Sequence, residues 1–148
     1  MIHQLTRRAA AAGIVAALAA LTLTSCTNDD DAAAQQAAVD YLAAADAGDH
    51  ERYCDLSVEG HENRAKCLDY SHIANDVPGF SGPPKAVHVQ RWDDGKAVVV
   101  EVPLRAANGQ PRYKVLGLVE QDGNWLVKRS GSYLDSTPDD ATVSQELA

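Results

Sequence analysis

The fold of this 148-residue chain depends most on the stretch from Lys85 to Arg105, which reads KAVHVQRWDDGKAVVVEVPLR. Valine recurs through it, and β-branched side chains favour extended backbone. The Asp-Asp-Gly at residues 93–95 divides the stretch and is typical of a hairpin turn, because glycine tolerates the positive φ of a tight reversal. The stretch therefore predicts two antiparallel strands, at Lys85–Trp92 and Lys96–Arg105.

Two further strands are predicted at Arg112–Gln121 and Trp125–Tyr133, with turns at Asn108-Gly109 and Asp122-Gly123-Asn124. In the second of the four strands, one face is wholly apolar and the other is mixed, so we expect the first in the core and the other partly exposed to water. The two faces hold Val98, Val100, Val102 and Leu104 on one side and Ala97, Val99, Glu101 and Arg105 on the other. The third strand is apolar on both faces, which indicates an interior strand or the lining of a cavity.

Helical periodicity precedes the strands. Apolar residues recur with the spacing of an amphipathic helix over residues 34–47, and we expect this helix to end at Gly48. These residues are Ala38, Tyr41, Leu42 and Ala45. Asp49 is expected to cap a second helix that continues to about Ser57 and is interrupted at Gly60.

A third helix is predicted from His61 to Ile73, and residues 75–84, with three prolines and two glycines, predict a loop. Helices followed by a four-stranded antiparallel sheet predict an α+β fold, with the N-terminal helices packed on one face of a curved sheet. The predicted domain covers residues 34–134, about the size of one domain. Residues 26–33 are expected to form an acidic tether, and residues 135–148 a flexible polar tail.

The first 25 residues resemble an export signal. Arg7 and Arg8 precede an uncharged stretch from Ala9 to Leu23, which as a helix would be about 22 Å long, short of the roughly 30 Å hydrocarbon layer. Leu23-Thr24-Ser25-Cys26 resembles the bacterial lipobox, in which the cysteine is acylated and the peptide ahead of it is removed. The alternative is an ordinary secretory signal with a chance cysteine, and export by either the general or the twin-arginine route remains open.

The chain has three cysteines, Cys26, Cys54 and Cys67. If Cys26 is acylated, the odd count is resolved by a disulfide between the other two, because thiol pairs outside the cytoplasm tend to be oxidised. A reactive thiol or a metal-binding pair is the alternative, although the thirteen-residue separation is poor zinc spacing.

The formal net charge is −8, and residues 1–25 contain two arginines but no acid, so the remaining chain has 11 basic and 21 acidic residues, a net −10. Such a surface repels phosphates, and no Lys/Arg stripe is present to overcome the repulsion, so a nucleic-acid partner is not expected. The expected partners are the membrane, through the lipid anchor, and a small ligand or a cell-envelope protein.

Two segments resemble a known family. Residues 41–49, YLAAADAGD, with Cys54 just after them, and residues 120–127, EQDGNWLV, are similar to exported NTF2-like lipoproteins, whose fold is a cystatin-like cone. The resemblance covers about residues 34–133. It implies a conical pocket between the sheet and the first long helix. Some members are isomerases or dehydratases and many are non-catalytic, so the resemblance leaves the activity open.

Candidates for chemistry are few. His50, His61 and His72 recur every eleven residues. They could form a metal site or be three partly exposed side chains. We expect the second, and therefore no metal and no cofactor. Asp69 with His72, and His88 with Glu101, are possible acid–base pairs; a solvated helix face or a cross-strand pair is the alternative for each.

A pocket is the remaining candidate site. Its possible lining is aromatic, with one histidine and one carboxylate. The alternative, which a sequence with few aromatic residues favours, is that the aromatic side chains pack in the core. The residues are Tyr41, His88, Trp92, Glu101 and Trp125. We expect a non-catalytic lipoprotein on the outer side of a bacterial cytoplasmic membrane that binds a small ligand or a protein, with a small cone-fold enzyme as the alternative.

Overall fold

The computed structural model describes residues 29–71, 79–107 and 110–148, with no account of the Tyr70 and Ser71 side chains. The predicted signal, Cys26 and His72 lie outside the described residues. The helices are α1 (Asp29–Ala47), α2 (His50–Asp55), α3 (Val58–Glu62), α4 (Arg64–Ser71) and α5 (Asp140–Glu146). The strands are β1 (Lys85–Trp92), β2 (Gly95–Pro103), β3 (Pro111–Gln121) and β4 (Asn124–Leu134).

The four strands form one antiparallel sheet in the order β1-β2-β3-β4. Their ends lie within two residues of the predicted ones. The α+β prediction is therefore confirmed, and so is the interior position of β3. Alternating side chains and hairpin turns were sufficient to predict this sheet, because each strand pairs with its neighbour along the chain.

Helix α1 begins at Asp29, so most of the predicted acidic tether is helical. Three consecutive aspartates occupy its first turn, where negative charge interacts favourably with the helix dipole. The Asp31 carboxylate also forms an ion pair with Lys96 at the start of β2. The predicted boundary at residue 34 was therefore wrong, since these acids begin the helix.

The turn between α1 and α2 was predicted correctly. Gly48 has a φ of +67°, which a residue with a side chain rarely adopts, and it ends α1. Asp49 caps α2, because its carboxylate accepts a hydrogen bond from the Arg52 amide at 3.0 Å.

Gly60 does not interrupt the helices as expected. It lies buried inside α3, and its amide donates to the hydroxyl of Ser57, the N-cap residue, at 3.1 Å. The single helix predicted from His61 is instead two short helices, α3 and α4, separated at Asn63.

The main core lies between α1 and one face of the sheet. Fully buried Ala34 and Ala38 bring α1 close to the sheet, and Tyr41 and Leu42 continue the same side of the helix. The facing residues of the sheet are Val98, Val100, Val102, Leu104, Leu116, Leu118 and Val127. The predicted core face of β2 is thus confirmed.

The opposite face of the sheet forms a second core. Ala97, Val99 and Val115 are fully buried beneath α5, with Val143 and Leu147 of the C-terminal segment packed against them. The expectation of a flexible tail at residues 135–148 was therefore wrong. The expected partial exposure of this face of β2 is confirmed, because Glu101 is half-buried and Arg105 exposed, although Ala97 and Val99 are fully covered.

The C-terminal segment is also held by polar contacts. Asp139 caps α5 by accepting from the Thr142 amide at 2.8 Å, and the Glu146 carboxylate accepts from the Ser132 amide at 2.7 Å. Arg129 donates to the Leu147 carbonyl at 3.0 Å. The cap therefore stabilises the first turn of α5, and the other two contacts fix its C-terminal end on β4.

Leu147→Ala is expected to lower the free energy of unfolding by about 2 kcal/mol, because it removes a buried side chain and leaves a cavity over the sheet. Urea denaturation measures the difference. Gln145→Ala, at an exposed position in the last turn of α5, is the control and should change stability by less than about 0.5 kcal/mol. Equal midpoints for Leu147→Ala and the unsubstituted protein would show that α5 does not contribute to the fold.

Candidate functional site

The five predicted pocket residues lie on both faces of the sheet. Tyr41 and Trp125 belong to the core beneath α1. Trp92 packs in the core beneath α5, where its ring covers Gly117 so closely that an added Cβ would lie 2.5 Å from it. Because neighbouring residues of a strand point to opposite faces, the five do not line a single pocket.

His88 and Glu101 lie on the α5 side but have different partners. His88 Nε2 is 3.3 Å from Asp140 Oδ1, and its side chain is 42% exposed. Glu101 accepts a hydrogen bond from the Tyr113 hydroxyl at 3.4 Å. The register pairs His88 with Val99 and Glu101 with Lys85, so these two side chains are not cross-strand partners.

Among the other acid–base and metal candidates that the structure describes, Asp69 and His61 are exposed and His50 is half-buried. Asp69 is exposed, and its predicted partner His72 lies outside the described residues. The ring of His61, also exposed, contacts the Asp55 carbonyl through Nε2 at 2.9 Å. Within the three described ranges, no three His, Cys, Asp or Glu residues are grouped so that they could hold a metal ion.

Cys54 and Cys67 form a disulfide, as the cysteine count predicts. The bond joins α2 to α4, with an S–S distance of 2.03 Å and a Cα–Cα distance of 5.9 Å. Both residues are buried, and the Ser57 hydroxyl donates to the Cys54 carbonyl at 3.2 Å beside them. The pair is therefore a structural link within the helical layer.

A group of tyrosines occupies the space between the helices and the sheet. The rings of Tyr41 and Tyr53 stack with centroids 4.5 Å apart, and the Tyr41 hydroxyl donates to that of Tyr53 at 2.5 Å. On the sheet, the Lys114 ammonium lies 4.4 Å from the centroid of the Tyr133 ring, a cation–π contact. All four side chains contribute polar groups to a mostly apolar layer.

Burial changes the acidity of this group. Burial, together with the neighbouring Tyr53, raises the pKa of Tyr41 well above its usual range. Burial, assisted by the Asp46 carboxylate, raises the pKa of Tyr133 to about 12. Burial lowers the pKa of Lys114, against the opposing effect of Glu146. Each shift favours the neutral form, as desolvation does.

These shifts predict a loss of stability at alkaline pH. The unfolded chain releases tyrosine protons near pH 10.0, whereas folded Tyr133 retains its proton to about 12, so the free energy of unfolding falls as pH rises through that window. The slope is at most about 1.4 kcal/mol per pH unit for each tyrosine. Lys114 changes the free energy of unfolding in the opposite direction. Its pKa is lowered in the folded protein, whereas the unfolded lysine holds its proton to about 10.4, so its contribution to stability rises with pH below that value. Urea unfolding on either side of pH 10.0 should show a shallower decline for Tyr133→Phe; an unchanged slope would contradict the assignment.

A cleft of about 380 Å³ opens where α1 ends. One wall is the end of α1, the second is the proline-containing segment before β1, and the third is Arg105, just after β2. The lining residues are Ala43, Asp46, Phe80, Ser81, Gly82, Pro83, Pro84 and Arg105. A shallower depression of about 350 Å³ lies on the outside of α1 and α2, where Arg52 is paired with Asp40 at 3.2 Å.

The wall of the cleft is fixed through the backbone of Phe80. The Phe80 amide donates to Asp46 Oδ1 at 2.8 Å, and Arg105 Nε donates to the Phe80 carbonyl at 2.7 Å. Ser81 is held in turn, because its amide donates to the Pro103 carbonyl at 2.7 Å. The Phe80 side chain is 4% exposed and Phe80 forms a bridge with Leu104. The cleft is therefore formed before any ligand arrives.

This arrangement suits a small molecule with an apolar body and an anionic group. The proline rings and Ala43 supply apolar surface, and the remaining N–H groups of the Arg105 guanidinium can donate to a carboxylate or phosphate. Among the described residues, Arg105 forms no ion pair with a carboxylate. Sequence reasoning missed this site, although two adjacent prolines and an arginine at a strand end were visible.

None of the helices among the described residues combines the length and apolar character that crossing a bilayer requires. The chain matches no protein-family model, and no curated protein is significantly similar to it.

Proposed function

We propose that this chain is an exported lipoprotein, acylated at Cys26 and held at the outer face of a bacterial cytoplasmic membrane, whose NTF2-like domain is a non-catalytic binding module. Three features support export and anchoring at the membrane: the basic residues, the short apolar stretch and the Leu-Thr-Ser-Cys at residues 23–26. The buried disulfide of Cys54 and Cys67 supports export independently, because such bonds persist in oxidising compartments.

The observation on which the binding role rests is the cleft at the end of α1. Its volume of about 380 Å³ lies within the range typical of small-molecule sites, roughly 300–1,000 Å³. It combines apolar walls with the Arg105 guanidinium and the Asp46 carboxylate. Since Asp46 Oδ1 already accepts from the Phe80 amide, the guanidinium is the group that would bind a small organic anion. The hydrogen bonds that hold Phe80 lower the ordering cost of binding, since the wall need not rearrange.

Native mass spectrometry of the protein purified from its own host tests the binding role. We expect the unsubstituted protein to carry a bound molecule that is released on denaturation. The Arg91→Ala variant should carry the same molecule, and the Arg105→Gln variant should not. Arg91 is the matched control because it is an exposed arginine on β1, away from the cleft lining. Arg105→Lys keeps the charge but not the planar fork, and should retain the ligand weakly. An empty protein, or equal retention by Arg105→Gln, would contradict the proposal.

A small cone-fold enzyme of the isomerase or dehydratase type is the second candidate. Lys114 favours it, because a half-buried lysine with a lowered pKa beside a tyrosine is suited to proton transfer. Incubation of the co-purified molecule with protein distinguishes the two roles. Turnover that is abolished by Lys114→Met would support the enzyme, and unchanged ligand would support the binding module.

A further inference from the structure

We infer that the folded domain rests directly on the bilayer, with one particular end of the sheet toward the lipid headgroups and the cleft facing away. This end, called here the hairpin end, consists of the β1–β2 turn at residues 93–94, the β3–β4 turn at residues 122–123 and the first turn of α1. The inference depends on the proposed acylation of Cys26, and it adds the surface that faces the membrane.

The connection to the anchor is short. Only Thr27 and Asn28 separate Cys26 from Asp29, the first residue of α1. Three peptide steps span at most about 11 Å, whatever their conformation. The start of α1 must therefore lie close to the acyl chains, and a long flexible tether is excluded by the chain length alone.

The start of α1 is itself fixed to the sheet. The Asp31 carboxylate pairs with the Lys96 ammonium, and both side chains are at least two-thirds buried, at 32% and 18% exposure. The same ammonium lies 6.0 Å from the centroid of the Trp125 ring. Fully buried Ala34 adds a packing contact one turn further along. The helix therefore cannot swing away from the hairpin end while the domain is folded.

These contacts determine which end of the domain lies near the anchor and which end carries the cleft. Lys96 follows the β1–β2 turn, and Trp125 follows the β3–β4 turn, so both hairpins point the same way as the start of α1. The nineteen residues of α1 extend about 28 Å. Asp46, near the other end of the helix, holds the amide of Phe80 in the cleft wall. An anchor at the hairpin end therefore leaves the cleft roughly one helix length from the headgroups.

The short connection, and not charge, brings this surface to the membrane. The side chains of Asp29, Asp93 and Asp122 are exposed there, and Lys128, 3.9 Å from Asp93, offsets part of the charge. Carboxylates gain nothing from an anionic leaflet. The expected contact is therefore a close approach to the headgroups without insertion into the hydrocarbon.

Both tryptophans of the chain, Trp92 and Trp125, lie at the hairpin end and report on it directly. The acylated protein is reconstituted into phosphatidylcholine vesicles that contain a dansyl-labelled headgroup lipid, and energy transfer from tryptophan is measured. The comparison is Trp92→Phe/Trp125→Phe/Ala106→Trp, which moves the donor to the exposed turn beside Arg105. We expect severalfold weaker transfer from residue 106.

A second measurement needs no tryptophan substitution. Hydrogen exchange of the unsubstituted protein is compared on and off vesicles, and residues 93–94 and 122–123 should gain protection that residues 105–107 do not. A flexible Gly-Ser insertion of about twenty residues between Asn28 and Asp29 should reduce the difference, since it lengthens the connection. This variant keeps the folded domain unchanged.

The outcomes separate the inference from the proposed function. Protein that floats with the vesicles but transfers energy equally well, or better, from residue 106 overturns the orientation and leaves the lipid anchor standing. Protein that does not float overturns the anchor and, with it, the inference. Floating protein with strong transfer and exchange protection confined to the hairpin end supports both.

Discussion

Replacing Cys54 and Cys67 together by alanine is expected to lower the free energy of unfolding by about 3 kcal/mol. The two residues are 13 apart in sequence, and their bond restricts the unfolded chain while joining α2 to α4 in the folded one. The helices that it joins are only six and eight residues long, too short to be stable in isolation. We therefore expect the loss to be concentrated in this helical layer.

Urea denaturation of the oxidised protein, the dithiothreitol-reduced protein and the double variant measures this effect. The reduced protein and the double variant should lose similar stability. Cys26→Ser, which leaves the bond between Cys54 and Cys67 in place, is the control and should match the oxidised protein. Free alkylation of Cys54 and Cys67 in exported protein, or equal midpoints in all samples, would show that the bond does not form or does not stabilise the domain.

Gly60→Ala is expected to destabilise the domain by about 3 kcal/mol, although alanine normally stabilises a helix relative to glycine by about 1 kcal/mol. The sign reverses because an added Cβ would overlap the backbone of Cys54, including its carbonyl oxygen. Backbone atoms cannot move aside as the end of a side chain can. The substitution should therefore separate α3 from α2 beside the disulfide.

Gly82→Ala is the matched control for this substitution. A Cβ at residue 82 would lie 3.5 Å from the Pro103 side chain, an ordinary contact, so we expect a change between zero and a gain of about 1 kcal/mol. Thermal unfolding of both variants gives the comparison. If Gly60→Ala were as stable as the unsubstituted protein, the close packing of α3 on α2 would be wrong.

The sheet could be predicted from sequence because its signals are local. The valine-rich run from Ala97 to Leu104 and the Asp-Gly turns specify neighbouring strands without reference to the rest of the chain. The same holds for Gly48 and Asp49, whose turn and cap depend on their own backbone. The disulfide followed from the cysteine count.

The errors concern elements whose stability comes from tertiary contacts. Helix α5 and its C-cap contribute only two buried apolar residues, Val143 and Leu147, in a polar segment. The helix forms because these two side chains cover Val99 and Val115, which are distant in sequence. The helical start at Asp29 likewise depends on Lys96, 65 residues away from its partner Asp31. Single-sequence patterns do not contain such pairings.

The candidate site was less predictable than the fold. Strand alternation could have separated Trp92 from Trp125 once the register was known, but the register is set by pairing across the sheet. The cleft depends on a bridge between Phe80 and Leu104, which brings two prolines, the end of α1 and Arg105 together. None of these residues has a spacing that indicates a site.

The most direct test of the account is the intact mass and detergent partition of the protein made in its own host. We predict a chain that begins at Cys26, is heavier than the polypeptide by its acyl groups and enters the detergent phase of a Triton X-114 extraction. Cys26→Ser should carry no acyl mass and should keep residues 1–25. A chain that still starts at Met1, has no added lipid and remains in the aqueous phase would contradict the proposed export and acylation. It would also contradict the inferred orientation of the domain on the membrane.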